Sequence, residues 1–477
     1  MHASLQRLLG SILFLAAVPS WAASAKPDPI KLETVRCAQP QPGLQCWRAM
    51  VPENYQKPNA RKIELDIMRI KAARPGSAAR GVLFLEGGPG VRATSVAMQR
   101  RQDWGALVPD VDLLFVDQRG TGGRPDLRCA AETLRYGTPH DLWPAKAAHA
   151  CAANLARSVD LTRYTTAEAV RDLNNVRAAL GIRQLDLIGY SYGTRVAQEY
   201  MRQYGKTVRA ALLIGPEAPS QAVPGGLARQ ADHALQQVLR RCSADQACAA
   251  AFPNLDDDLA SLRHQLEDGV DGTLRPGRGI VASYLRSMLY TAEGASALPH
   301  TIHGLGTGDA GGNIARSIMD WQRQFLQGDP WAQYLSVTCT EDVPFVDQEV
   351  EHDQARGTLL GSYRLMQQLA ACNGWPRREA ASRIHAALET AIPTLLLVGE
   401  FDPATPPGKA AEIVATMPNG RALVIPNRGH GMSEARTGEW HACIGKLAAD
   451  FLDSTNAQAL DTNCLKQLAL PPFKVDR

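Results

Sequence analysis

Leu185-Asp186-Leu187-Ile188-Gly189-Tyr190-Ser191-Tyr192-Gly193-Thr194-Arg195-Val196 is the stretch in which the chain declares its fold. An apolar run of buried-strand type enters the turn from Gly189 to Gly193, and Thr194 to Tyr204 leaves it with helical spacing, stopped by Gly205. A bare G-x-S-x-G arises by chance in roughly one chain in six of this length. The flanking strand and helix give this one its weight, because that setting presents a serine hydroxyl at the tip of a sharp turn. Glycine on either side has a steric reason: side chains there would hold strand and helix apart.

Working outward, short apolar, β-branched runs recur at Ile63–Ile70, Val82–Leu85, Leu113–Val116, Ala210–Ile214, Thr394–Val398 and Ala422–Ile425, alternating with helical patterns. That alternation predicts an α/β fold with a mostly parallel, doubly wound sheet and helices on both faces. Thr165 to Leu180 predicts a helix: Thr165 and Glu168 fit a capping box, Val170, Leu173, Val176 and Leu180 share one face, and Gly181 supplies the stop. Between Ile214 and Thr394, about 180 residues lack a βαβ rhythm and read as an inserted, mainly helical cap. The expected division is a core at 26–219 and 386–477 with a cap at 220–385. Gly306-Thr307-Gly308-Asp309-Ala310-Gly311 matches the dinucleotide glycine pattern, but no strand precedes it, so it reads as a plain glycine loop. His300 and His303 read as surface or core side chains.

The 477 residues are 45% hydrophobic and 21% charged, enough apolar material for a sizeable core and too much for a disordered chain. Lys+Arg 51 against Asp+Glu 48 gives a net charge of +3. With no basic stripe interleaved with aromatics, neither a nucleic-acid groove nor an anionic-membrane surface is indicated, and a peptide or small-molecule substrate is expected. Residues 1–25 carry Arg7, an apolar run from Leu8 to Val18 and small residues up to Ala25, in the order of a signal peptide, with a run too short to span a bilayer. Export to a periplasmic or extracellular space, without a stable membrane anchor, is the expectation. The even count of ten cysteines suits an oxidising compartment, and neither C-x-x-C nor H-E-x-x-H occurs to suggest a redox or metal site. Because short loops close most readily, pairing in chain order is expected: Cys37 with Cys46, Cys129 with Cys151, Cys242 with Cys248, Cys339 with Cys372, and Cys443 with Cys464.

A serine hydroxyl needs a neutral imidazole to take its proton and a carboxylate to hold that imidazole in the right tautomer. In this fold class the chain order is serine, acid, histidine. The run at Thr394–Val398 ends in Gly399-Glu400-Phe401-Asp402, and that at Ala422–Ile425 ends in Pro426-Asn427-Arg428-Gly429-His430. Asp402 and His430 therefore lie just past the C-terminal ends of their strands, where open α/β sheets place their sites, with Glu400 as a rival acid nearer the strand. An oxyanion would need two fixed N–H donors. One is the backbone of Tyr192; the other comes from Gly87-Gly88-Pro89-Gly90 after Leu85, with Gly88 preferred and Pro89 excluded for want of an N–H.

Gly87-Gly88-Pro89-Gly90, Asp117-Gln118-Arg119-Gly120-Thr121-Gly122 with Cys129 behind it, the Gly189–Gly193 turn, Cys339-Thr340-Glu341-Asp342, Cys372-Asn373-Gly374-Trp375-Pro376, Asp402-Pro403-Ala404-Thr405-Pro406 and Gly429-His430-Gly431 run in one order from about residue 45 to the C-terminus. Together they resemble the exported branch of the proline iminopeptidase and tripeptidyl aminopeptidase family. The resemblance implies an α/β-hydrolase fold with a TAP-like C-terminal region, and a serine hydrolase that removes residues from free peptide N-termini with Ser191, Asp402 and His430 as its triad, without a cofactor. One departure stands out: the family's oxyanion loop usually begins with histidine, and here that position is Glu86, a carboxylate that could alter charge preference. An aminopeptidase must also hold an ammonium group, for which Glu341, then Asp342 and Glu217, are the candidate acids. The same triad would serve a carboxylic-ester or lactone hydrolase, and a non-catalytic, hydrolase-like binding protein is the reading from another class.

Overall fold

The computed structural model describes residues 28–475 except residue 29 and the stretches 75–78, 137–139, 268–276, 309–312, 329, 381 and 433–441. The signal peptide expected at 1–25 lies outside the described residues. Nine strands form one sheet: β1 (Lys31–Val35), β2 (Leu44–Pro52), β3 (Lys62–Ile70), β4 (Arg80–Leu85), β5 (Asp112–Val116), β6 (Gln184–Tyr190), β7 (Val208–Ile214), β8 (Thr394–Gly399) and β9 (Gly420–Ile425), in the spatial order β1-β2-β3-β5-β4-β6-β7-β8-β9. From β5 to β9 all pairings are parallel, whereas β1, β2 and β3 add antiparallel partners at one edge.

The central strands are apolar on both faces because helices cover both. Leu187, Leu213 and Leu396 point to one side, against Val196 and Tyr200 of the helix Tyr192–Tyr204 and Val170 and Leu173 of the helix Thr166–Ala179. Their neighbours Ile188, Leu212 and Leu397 point to the other, against Trp104 of the helix Ala93–Trp104 and Phe451 of the helix Ala442–Ser454. The period-2 alternation of strand side chains thus splits one apolar run between two cores. β1 and β2 escaped the sequence reading because the edge strand β1 is mostly exposed and β2 interleaves Gln45 and Arg48 with its apolar residues.

The helix starting at Thr166 is present, but its expected capping box is not. The Thr165 side chain makes no cap bond, and Glu168 lies instead near Arg163 and Arg378, at 3.7 and 3.6 Å. A carboxylate from far along the chain replaces the local cap: Glu341 accepts from the Thr166 N–H at 2.7 Å and from its hydroxyl at 2.5 Å. The Glu341 carboxyl thus satisfies a free N–H at the helix N-terminus, while burial raises it to about 7. The Asp117–Gly122 motif also proves architectural: fully buried Arg119 forms a two-pronged pair with Asp172 and donates to the carbonyls of Glu53 and Arg163, while Asp117 accepts from Thr94.

Between β7 and β8 every described element is helical, from Leu227–Ala244 to Ser382–His385. Gly306 ends a helix rather than following a strand, and His303 bonds to Asp258 at 2.7 Å. The five disulfides join Cys37 to Cys46, Cys129 to Cys151, Cys242 to Cys248, Cys339 to Cys372 and Cys443 to Cys464, leaving no free cysteine among the described residues. No helix among the described residues is long and apolar enough to cross a membrane.

Candidate active site

Ser191 sits between β6 and its helix at φ 51° and ψ −124°, in the left-handed half of backbone space that a non-glycine residue enters at a cost of order 1–3 kcal/mol. The surroundings hold it there. Its N–H donates to the Ile214 carbonyl at 2.9 Å, and its own carbonyl accepts from the N–H and hydroxyl of Thr194 at 2.8 and 2.6 Å. A Cβ at Gly193 would lie 1.9 Å from the Leu85 carbonyl oxygen, and one at Gly189 would lie 2.8 Å from that of Gly193. Strand and helix therefore meet closer than any side chain permits.

Asp402 and His430 converge from the loops after β8 and β9. The two loops are tied by the Glu400 N–H to Ile425 and the Phe401 N–H to Arg428, both at 3.1 Å. Asp402 Oδ2 lies 2.8 Å from His430 Nδ1, and Asp402 also accepts from the N–H groups of Ala404 and Thr405 and from the Thr405 hydroxyl. Burial pushes its carboxyl up, but His430 and these donors outweigh burial and hold it below the usual range. Glu400 turns away: it pairs with Arg241 at 2.6 Å and accepts from the Asn427 N–H. The imidazole, 9% exposed, is boxed by Tyr290 of the helical insertion, with ring centroids 4.8 Å apart, and by Gly215, where a Cβ would stand 2.8 Å from His430 Cε1.

Ser191, Tyr192, Gly88 and Pro89 open onto a cavity of about 250 Å³ whose other walls come mainly from the helices between β7 and β8, including Trp331 and Tyr334, with Trp143 contributed from the segment between β5 and β6. Glu86 is not on this wall. Its carboxylate is gripped by both prongs of Arg100 at 2.9 Å, and Arg100 stacks on the Tyr190 ring, so its charge is held in an ion pair away from the cavity.

Of the three candidate amine-binding acids, Glu217 and Asp342 line the cavity and Glu341 does not, its oxygens being occupied by Thr166. Arg195 links the first two, at 2.7 Å to Glu217 and 2.8 Å to Asp342. Glu217 is fixed relative to Ser191, because its N–H donates to the Thr194 hydroxyl that itself bonds to the Ser191 carbonyl. Burial raises the Glu217 carboxyl to about 7; Arg195 opposes the rise, while Asp342 and Glu341 add to it. Asp342 is raised for the same first reason, burial. Among the described residues no group of His, Cys, Asp or Glu could hold a metal ion.

Sequence reasoning missed Gly215, Tyr290 and Arg195. Arg195 follows the turn by two residues and could have been suspected as a charge inside an otherwise apolar helix face; nothing local marks the other two.

A parallel sheet with a strained serine after its central strand, and an acid and a histidine after later strands, is the architecture of the α/β-hydrolases. The chain matches the alpha/beta hydrolase fold family over residues 82–294 and the TAP-like protein family over residues 358–464, and it has the α/β-hydrolase fold. It is 24% identical to the serine protease Hip1 of Mycobacterium tuberculosis, with 89% of each chain covered. It is also 24% identical to the tripeptidyl aminopeptidase of Streptomyces lividans, over 89% of this chain and 84% of that one. Among solved structures, the proline iminopeptidase of Mycobacterium smegmatis aligns at 15% identity and a TM-score of 0.38, covering 86% of this chain and 99% of the other.

Proposed function

We propose that the protein is an exported serine aminopeptidase that cleaves residues or short peptides from free N-termini through an acyl-enzyme. Ser191 Oγ attacks the scissile carbonyl carbon as His430 Nε2 takes its proton, and the Nδ1–H bond to Asp402 holds the imidazole in the required tautomer. The oxyanion is met by the N–H groups of Tyr192 and Gly88. His430 returns the proton to the departing amine, and water attacks the acyl-enzyme by the same steps in reverse. The helical segment 220–385 serves as a cap that closes the cavity and sets its length, and the five disulfides suit the export that residues 1–25 suggest.

One observation carries the peptidase reading over the esterase alternative on the same triad: Glu217 and Asp342 both pair with one guanidinium, Arg195, while facing the cavity that holds Ser191. Two carboxylates against one guanidinium leave a negative charge in a desolvated place, which is costly until a cation arrives. A substrate ammonium is that cation. The names of the Hip1 and tripeptidyl aminopeptidase relatives point the same way. Amino-acyl to tripeptidyl anilides assayed beside their N-acetylated forms and simple esters test the reading. The free forms should lead by at least about tenfold in kcat/KM; equal rates would move the assignment to an ester or lactone hydrolase.

A further inference from the structure

The same cavity has a basic pole that the chemistry above leaves unused. Arg364, on the helix Tyr363–Cys372, is 8% exposed; its guanidinium lies 3.6 Å over the Trp143 ring and donates from Nη2 to the Tyr334 hydroxyl at 3.3 Å. Its Nη1 is buried on the cavity with no hydrogen-bond partner in the protein. Arg286, from the helix Arg278–Met288, reaches the same cavity, stands 5.2 Å from the Tyr290 ring centroid and has an unpartnered, buried Nε. Neither forms an ion pair among the described residues, whereas buried Arg119 and Arg195 both have carboxylates. Burial, joined by the nearby charge of Arg286, draws the Arg364 guanidinium below its ordinary value.

An unpaired guanidinium sunk among aromatic rings is expensive, and a second one beside it makes matters worse. What relieves both is a planar anion, since the guanidinium fork matches a carboxylate in two parallel hydrogen bonds while the rings stack on its flat faces. We propose that Arg364 and Arg286 form a carboxylate-binding subsite, so that the preferred substrates carry an anion as well as a free amine. The inference rests on the reading that this cavity holds the substrate of Ser191. The carboxylate can come from an acidic side chain in the part released as acyl group, or from the free C-terminus of a short peptide.

Two matched pairs of substrates distinguish the sources: the 4-nitroanilides of Glu and Gln for the side chain, and trialanine against its C-terminal amide for the terminus. In at least one pair the anionic member should lead by about tenfold or more in kcat/KM, and that lead should shrink to within about threefold in both Arg364→Gln and Arg286→Gln. A readout without turnover accompanies them: glutarate, but not its dimethyl ester, should slow fluorophosphonate labelling of Ser191, and the Arg variants should abolish the difference. Should Arg364→Gln fail to fold, the half-buried Arg286→Gln decides alone. The proposal falls if no pair favours the anion and glutarate gives no protection, or if the preference survives both substitutions. A failed peptidase assignment would show separately, as equal rates for acetylated and free peptides, with the glutarate effect still readable.

Discussion

Replacing Glu217 by Gln should make the protein more stable and less discriminating at once. Burial raises the Glu217 carboxyl to about 7, well above the ordinary carboxylate range. A native pKa above the unfolded one means the native state binds more protons between these values, so stability falls as pH rises through them and the whole cost is present above about pH 7. That rise corresponds to a cost on the order of a few kcal/mol. Gln keeps an oxygen for Arg195 and carries no charge, so at pH 8 the variant should gain up to a few kcal/mol, seen as a rise of a few degrees in Tm. At pH 4, where the acid is neutral folded and largely neutral unfolded, the gain should vanish. On the proposed reading, the variant also loses the counter-ion for the substrate ammonium. The free-over-acetylated preference in kcat/KM should therefore fall by about ten- to a hundredfold, mostly through KM, as expected when one partner of a desolvated charge pair is removed. Parallel melting curves at pH 4 and pH 8, with paired anilide kinetics, test both halves. A variant that melts lower at pH 8 and keeps its preference for free amines would refute the placement of an uncompensated charge at Glu217.

Ser191→Ala should abolish fluorophosphonate labelling and reduce turnover by about 10⁴-fold or more while the melting curve stays cooperative. Asp402→Asn should leave labelling detectable yet cost on the order of 10⁴ in kcat, because an amide no longer fixes the imidazole tautomer; a loss under tenfold would point to another acid. Gly215→Ala puts a methyl 2.8 Å from His430 Cε1 at a residue with φ +58°, so kcat should drop at least about tenfold with KM little changed, and an unaffected kcat would show that the imidazole has room to spare. Glu341→Ala should cost about 1–3 kcal/mol of stability, seen as a lower Tm, because the Thr166 N–H and hydroxyl lose their acceptor, and should leave the free-over-acetylated ratio as it is; a collapse of that ratio would return the amine contact to Glu341.

The parts of the molecule legible in the sequence are those whose cause is local. β6, its turn and its helix could be read because strand, glycine spacing and amphipathic helix are contiguous, and β4, β5, β7, β8 and β9 because buried parallel strands are near-continuous apolar runs. Asp402 and His430 were legible through chain order and strand ends. What could not be read depends on partners far along the chain. The Thr166 helix has a correct-looking local cap, yet Glu341, 175 residues away, takes the job, because its two carboxyl oxygens reach both the N–H and the hydroxyl of Thr166 at the buried helix end. The same event removes Glu341 from the cavity and leaves its neighbour Asp342 facing it, a choice between adjacent acids that spacing cannot make. Glu86 likewise looked like a free charge until Arg100, fourteen residues on, was found to hold it.

The disulfide between Cys339 and Cys372 acquires a metric meaning. Cys339 belongs to the helix Trp331–Glu341, which ends at Asp342, and Cys372 closes the helix that begins with Tyr363 and Arg364. The bridge thus welds the acidic pole of the cavity to its basic pole through two rigid rods, and works as a gauge block: the span between Asp342 and Arg364 is held by a covalent bond as well as by packing. If the two poles seat the two charges of one substrate, as proposed, a substrate is measured as well as bound, and cutting the weld should broaden the range of lengths accepted before any loss of turnover.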